Sequence, residues 1–289
     1  MRTQGVEMVD KKSVLVRICV MICAVFFVLC AEAFAMPKKI KIAMCQIFVQ
    51  DGDREGNFVR IENAVAEAKK GGAKIACLPE SIILGWENPD AHERACPIPG
   101  PDSDRLCALA GKYRIYICAG LDEKDGDKLY GAALLIDDAG KIILKHRKLI
   151  VLPELMDPPY SAAKDVNAVA DTPLGRIGLL ICADTHRDDI LEKMAKLKPD
   201  LLLVPYGYAE VEQKWPKHGK QLEYVVRKAT QRTGSVVIGT DSVGQMTKGP
   251  WAGRIFGGQS IAADKTGRTI ATAKDRDRDI KIVSIKISR

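Results

Sequence analysis

Between residues 39 and 285 the chain alternates many short apolar runs of strand length with few stretches of helical period, and that ratio limits its fold. Strands are expected over 39–47, 74–78, 114–120, 130–137 and 141–146, near 168, and over 177–181, 201–204, 235–240, 258–263, 269–273 and 280–285. Helices are expected over 55–70, where Phe58, Ile61, Val65 and Ala68 share a face and Gly71-Gly72 ends the run, and over 102–113, 187–197 and 217–233. Asp102 or Ser103 is the expected N-cap of the second. So many strands with so few helices cannot form a single doubly wound sheet. Consecutive strands over 114–146, the last two joined by the turn Asp137-Asp138-Ala139-Gly140, indicate a mixed sheet. The economical fold is of the α+β class: two sheets face to face with helices outside, an αββα sandwich.

The first residues stand apart. Lys11, Lys12 and Arg17 precede an apolar run over 18–30, and Ala33-Phe34-Ala35 follows, which is the make-up of a secretory signal peptide. The run is short for a membrane span, which needs about 20 apolar residues. Residues 1–35 are therefore expected to be a cleaved signal, with an uncleaved N-terminal anchor as the alternative. Export to the periplasm or exterior follows, with membrane contact only if the segment is retained. Residues 36–289 carry no Pro/Gly/Ser-rich linker and no repeat, so they read as one domain.

Of the 9 cysteines, Cys19, Cys23 and Cys30 belong to the signal, and Cys45, Cys77 and Cys118 lie in strand-like runs as core residues. Cys96 and Cys107 flank the stretch PIPGPDS, and their pairing stays open. No cysteine falls in a C-x-x-C or Cys/His cluster, so no metal or cofactor is expected. The formal net charge of +7 is dispersed, with basic and acidic residues alternating, as on a solvated surface rather than a nucleic-acid patch.

Chemistry concentrates in PLGRIGLLICADTHR, residues 173–187, where a buried strand ends at Cys182. A helix starting near Thr185 or His186 would turn free N–H groups toward a thiolate there. Taken alone, Cys182 reads more simply as a small buried apolar residue, and the choice turns on whether the chain supplies partners for it. Glu80, just past the strand 74–78, is either a salt-bridged surface residue or a pocket acid. Lys148, in a basic run past the strand 141–146, reads by itself as a solvated residue, and Glu154, six residues on, is similarly ambiguous.

The joint order is more specific. PES, then HRK, then a glutamate, then ICAD at a strand end resembles the nitrilase or carbon–nitrogen hydrolase superfamily. The resemblance begins with residues 46–57, continues through DLLLVP and GGQSIAADKTGR, and so spans nearly all of 36–289. It implies Cys182 as nucleophile, Glu80 as general base and acid, Lys148 as the cation at the oxyanion, and Glu154 as an auxiliary glutamate that holds Lys148 or assists the proton relay. The backbone N–H of Ala183 is the natural second oxyanion donor, and Asp184 is structural. The resemblance also implies a homodimer, or a higher homo-oligomer, paired through the helices beside the nucleophile into four layers. Tyr206, Tyr208 and Trp251 stand at loop starts, where they line an acyl site or pack its rim. His186 is expected at the surface or an interface.

The expected activity is cofactor-independent hydrolysis of a non-peptide C–N bond in a linear amide or N-carbamoyl compound, through a cysteine thioester, releasing ammonia or an amine. Nitrile hydrolysis and acyl transfer use the same three residues. A catalytically silent binding module is the alternative of another class, and the intact Glu80, Lys148 and Cys182 argue against it. A metal-dependent phosphoesterase would need a cluster of His, Asp and Asn at strand ends, and the chain has only 4 histidines, none in a carboxylate-rich setting. Specificity is expected in the loops 81–101, 153–165 and 247–254.

Overall fold

Alternation along the strands decides which side each helix takes. The computed structural model describes residues 38–166 and 168–287. In β1 (Lys38–Gln46), Ile40, Ile42 and Met44 join the core between the two sheets, while Ala43 and Cys45 join a second core with the helices outside. That outer core is closed by α1 (Arg54–Lys70), which buries Phe58, Ile61, Ala64, Val65 and Ala68. Asp53 caps α1 by accepting from the Gly56 N–H at 3.0 Å, and Lys69 and Lys70 complement the dipole at its end.

After α1 come β2 (Ile75–Cys77), the short α2 (Ala91–Arg94), α3 (Pro101–Tyr113), β3 (Tyr116–Asp125), β4 (Lys128–Ile136) and β5 (Ile142–Arg147). α3 lies beside α1 in the outer core, through Leu106 and Ala110. Its N-cap is Gly100, with Pro101 as the first helical residue, rather than Asp102 or Ser103. Ser103 serves the cap from inside the first turn, its Oγ accepting from the Gly100 N–H at 2.9 Å.

The second half runs β6 (Val169–Thr172), β7 (Gly175–Leu179), α4 (Asp188–Lys196), β8 (Leu201–Pro205), β9 (Ala209–Glu210), α5 (Lys217–Thr233) and β10 (Val236–Thr240). It ends with β11 (Val243–Gln245), β12 (Ile255–Gly257), β13 (Ile261–Ala263), β14 (Thr269–Thr272) and β15 (Asp279–Ile287). The strand orders are β15-β1-β2-β3-β4-β5 and β14-β13-β10-β8-β7-β6, two mixed six-stranded sheets. Between them Ile42, Ile75, Tyr116 and Leu135 meet Ile177, Leu179, Leu201, Leu203 and Ile238 in one core, which is continuous with Leu191 and Met194 of α4 and Leu222 and Val226 of α5 on the outer face of the second sheet. The architecture is the expected αββα sandwich.

Two features were not foreseen. β9, β11 and β12 form a separate three-stranded sheet over stretches to which no strand was assigned. The nucleophile region is followed by a single 3-10 turn, Cys182–His186, and α4 begins only at Asp188, so no α-helix starts at Thr185 or His186. Among the described residues no helix is long and apolar enough to cross a membrane. The expected signal or anchor, residues 1–35, lies outside the described residues. Cys96 and Cys107 are free.

Candidate active site

The three residues expected to act together leave their strands at one edge of the sandwich. β3 is parallel to β2, and β5 shares that direction because both β3 and β5 are antiparallel to β4. Glu80 and Lys148 therefore follow strands that end on the same side. Cys182 follows β7, which is parallel to β8. The two sheets are tied at this edge by the Glu80 N–H, which donates to the carbonyl of Tyr206, just past β8, at 3.1 Å.

Close backbone contacts seat Glu80. Gly120 N–H donates to Pro79 O at 3.0 Å, and a Cβ at position 120 would lie 2.6 Å from the Glu80 Cα. Only glycine leaves that space. Lys148 is seated from β4, its N–H donating to Gly131 O at 2.8 Å. The Lys148 ammonium then donates to Glu80 Oε1 at 2.7 Å, with both side chains 4% exposed. Glu80 Oε2 is buried without a hydrogen-bond partner, which leaves one oxygen of the pair to accept a proton.

Cys182 is buried, with a backbone φ of 39°, a left-handed conformation that a residue with a side chain adopts only under constraint. Its Sγ faces the carbonyl of Gly207 at 3.7 Å. The constraint comes from Asp184 and Thr185. Asp184 Oδ1 accepts from the N–H groups of Leu149 and Ile150, both at 2.9 Å, and Oδ2 accepts from the Ile181 N–H at 3.1 Å and meets His146 Nε2 at 2.9 Å. Asp184 is thus structural in a definite sense: it pins the nucleophile turn to the segment that carries Lys148. The same contact gives His146 a carboxylate partner that the sequence did not suggest. Thr185 Oγ1 donates to the Cys182 carbonyl at 2.7 Å and pairs with the Tyr206 hydroxyl at 2.8 Å.

Burial pushes the Cys182 thiol well above its ordinary pKa, Glu80 adds to the rise, and Lys148 opposes it. The resting sulfur is therefore a thiol, and its proton has to leave as it attacks. For Lys148, burial favours the neutral amine, but the Glu80 carboxylate at 2.7 Å outweighs it and the ammonium is held above its ordinary range. A fixed cation therefore stands at the site throughout the neutral pH range.

A cavity of about 300 Å³ opens beside the sulfur, lined by Cys182, Ala183, Trp86, Tyr208, His218 and Trp251 among others. Ala183 N–H precedes the first bond of the 3-10 turn, Asp184 N–H to Ile181 O, and so remains available for a ligand.

Two of the expected residues lie elsewhere. Tyr206 is fully buried with its hydroxyl on Thr185, so it braces the nucleophile turn from within the core, and Tyr208 lines the cavity in its place. Glu154 is exposed on a short 3-10 turn, Pro153–Leu155, in which Leu155 takes the inward position. The ion pair of Lys148 is made to Glu80, not to Glu154.

The carboxyl that the sequence did not reveal is Glu87. It is buried, with φ 51° and Oε2 unpartnered. Burial raises its pKa to about 8, Lys148 opposing and Glu80 and Asp122 adding to the rise. Folded protein therefore keeps a proton that the unfolded chain releases near its ordinary value of 4.5. The stability associated with it is full below that value and is lost as pH rises to about 8. Glu87→Gln should remove this slope, gaining on wild type by roughly 1 kcal/mol per pH unit between about pH 5 and 8. Urea unfolding of both proteins across that range checks it, and parallel stability curves would refute it.

A buried Glu–Lys pair beside a cysteine on a tight turn, at the edge of an αββα sandwich, defines the class. The sequence profile of the carbon–nitrogen hydrolase family matches residues 41–289, and the chain belongs to that enzyme family, within the nitrilase superfamily. Over 151 residues it is 33% identical to a bifunctional nitrilase/nitrile hydratase of Nicotiana tabacum, a match covering 45% of this chain and 43% of that protein. The chain thus spans less than half the length of the first curated relatives it matches. It is 30% identical over 176 residues to an omega-amidase of Bos taurus, covering 58% of this chain and 63% of the relative. Its fold is similar to that of an amidase from Nesterenkonia sp. AN1, with a TM-score of 0.72 at 18% identity over 86% of this chain and 90% of that one.

Proposed function

We propose that the protein hydrolyses the C–N bond of a small linear amide or N-carbamoyl compound through a thioester on Cys182. The observation that carries this reading is the buried Lys148–Glu80 contact of 2.7 Å, with one Glu80 oxygen unengaged, at the same strand-end edge as the Cys182 turn and its cavity. Sγ attacks the carbonyl carbon while its proton passes to Glu80, and the oxygen takes up the electron pair against Lys148 and the Ala183 N–H. Collapse breaks the C–N bond, and Glu80 returns the proton to the departing nitrogen, which leaves as ammonia or an amine. Glu80 then deprotonates a water that attacks the thioester, and the acid departs as the thiol is restored. The amidase from Nesterenkonia offers a precedent: in one of its variants the acetamide moiety of fluoroacetamide is covalently added at the active-site cysteine.

The nitrilase relatives favour a second substrate for the same residues. Addition of Sγ to a nitrile gives a thioimidate, which water converts to the same thioester with loss of ammonia. The reading includes export directed by residues 1–35 and a homodimer, checked by sequencing the N-terminus of secreted protein and by sedimentation.

Ammonia release from propionamide, an N-carbamoyl amino acid and propionitrile, with acid quenching during turnover and mass analysis, tests the reading. We expect ammonia from at least one of them and an acyl mass increment on the peptide containing Cys182. Absence of both would overturn it.

A further inference from the structure

The wall of the cavity beside Cys182 has a composition that selects among acyl groups, and this inference rests on the function proposed above. On one side Trp86 and Trp251 meet at 5.8 Å between ring centroids and 56° between planes, and Phe256 backs Trp86 edge-on at 6.0 Å. Arg254 covers Trp251 with its guanidinium 3.6 Å from the ring centroid, so the indole is held between a cation and its neighbouring ring. On the other side Tyr208 stacks on His218 at 4.2 Å and 15°, and Trp215 packs edge-on against His218 at 5.0 Å. Gly207, between the two sides, is demanded by this arrangement, because a Cβ there would lie 2.3 Å from Trp86 Cδ1. Braced rings from both groups line one cavity of about 300 Å³, a shape suited to a planar or bulky apolar group.

Each charge on this wall already has its partner. Glu210 is held by Lys214 at 2.7 Å and Arg254 at 3.3 Å, and the Arg187 guanidinium lies on Asp189 at 3.0 Å. Lys148 is paired to Glu80. Burial lowers the pKa of both His186 and His218, so both imidazoles are neutral at neutral pH. A substrate ammonium would find no unshared carboxylate here, and a substrate carboxylate would lose its hydration and have to compete with Glu210 and Asp189 for the cations they already hold.

We infer that the acyl site takes a neutral aromatic or aryl-aliphatic amide or nitrile, with Trp251 and Tyr208 as the specificity-determining rings, and rejects monoamides of dicarboxylic acids. The test compares kcat/KM for 3-phenylpropionamide, phenylacetonitrile, succinamate and acetamide on the full chain. One of the two aryl compounds is expected to exceed succinamate by at least about 100-fold, since a pocket discriminates by roughly 10- to 200-fold for each apolar group it recognises. Trp251→Ala should lower kcat/KM for the aryl compound, chiefly through KM, by about tenfold more than for acetamide. Succinamate turned over as fast as the aryl compounds, or an equal loss for aryl amide and acetamide in Trp251→Ala, would overturn this inference alone. No ammonia from any of the four, with no acyl adduct on Cys182, would overturn the hydrolase reading and this inference with it. Wild-type selectivity decides the matter even if the variant fails to fold.

Discussion

Cys182→Ala should abolish ammonia release, with kcat falling by about 10⁴- to 10⁶-fold, the range seen when a covalent nucleophile is removed from a thiol or hydroxyl hydrolase. The fold should survive the change. The sulfur makes a single long contact, 3.7 Å to Gly207 O, and the turn is held by Asp184 and Thr185 through bonds that involve backbone groups rather than Sγ. Unfolding free energy should therefore change by no more than about 1 kcal/mol, as for a small truncation without a large cavity. Cys182→Ser should be nearly as inactive: an alcohol is harder to ionise than a thiol, and the site already keeps the thiol protonated through burial and Glu80. Steady-state ammonia assays with urea unfolding on the same preparations check both halves. Residual turnover within a hundredfold of wild type would remove Cys182 from the reaction.

The residues that could be read from sequence share one property. Glu80, Lys148 and Cys182 each stand a few positions past an apolar run, so the strand that aims them is visible in the chain. The sheets were legible for the same reason, since β1, β3, β4 and β15 are long enough to show strand character. Nothing comparable marks Glu87. It follows Trp86 in an irregular stretch with no period, and its burial is created by neighbours distant in sequence: Lys148 and Asp122 act on its carboxyl, and its carbonyl would lie 2.7 Å from a Cβ at Gly249. Glu154 looked equivalent because its place after Lys148 suggested it, yet the side chain points outward from a turn whose direction no pattern predicts.

Tyr206 and Tyr208 divide on a finer point. Tyr206 N–H still donates to Thr240 O at 2.8 Å, so that residue continues the β8 register into the core, whereas Tyr208 N–H donates to the side chain of Asp241 and the ring has left the sheet. Where a strand stops pairing depends on its neighbour, and the neighbour is not written in the strand. The small sheet of β9, β11 and β12 was missed because strands of two or three residues show no alternation.

The ion pair beneath the cysteine predicts a different kind of loss. Lys148→Met keeps the length and much of the apolar stem but leaves the Glu80 carboxyl, 4% exposed, without the ammonium that neutralises it. Breaking a buried pair from one side costs about 3–5 kcal/mol, because the remaining charge keeps its desolvation penalty and loses its partner. Activity should fall independently, by roughly 10²- to 10³-fold, for loss of a donor at the developing oxyanion. These effects separate in the double variant Lys148→Met/Glu80→Gln. Replacing the carboxylate by an amide removes the stranded charge, so most of the lost stability should return. Activity should fall further, because the proton acceptor is gone as well. Lys148→Arg should rescue neither fully: the guanidinium is larger and planar, and it must enter a space bounded by Gly131, where a Cβ would lie 3.6 Å from the Lys148 side chain, and by the Trp86 ring, whose centroid is 5.9 Å from Nζ. Urea unfolding and ammonia release on the four proteins resolve the two roles. If stability stayed low in the double variant, the cost of the single change would lie in packing around residue 148 and not in the unpaired charge. If the single change left kcat within tenfold of wild type, the ammonium would be a structural counter-ion, with the oxyanion held by the Ala183 N–H alone.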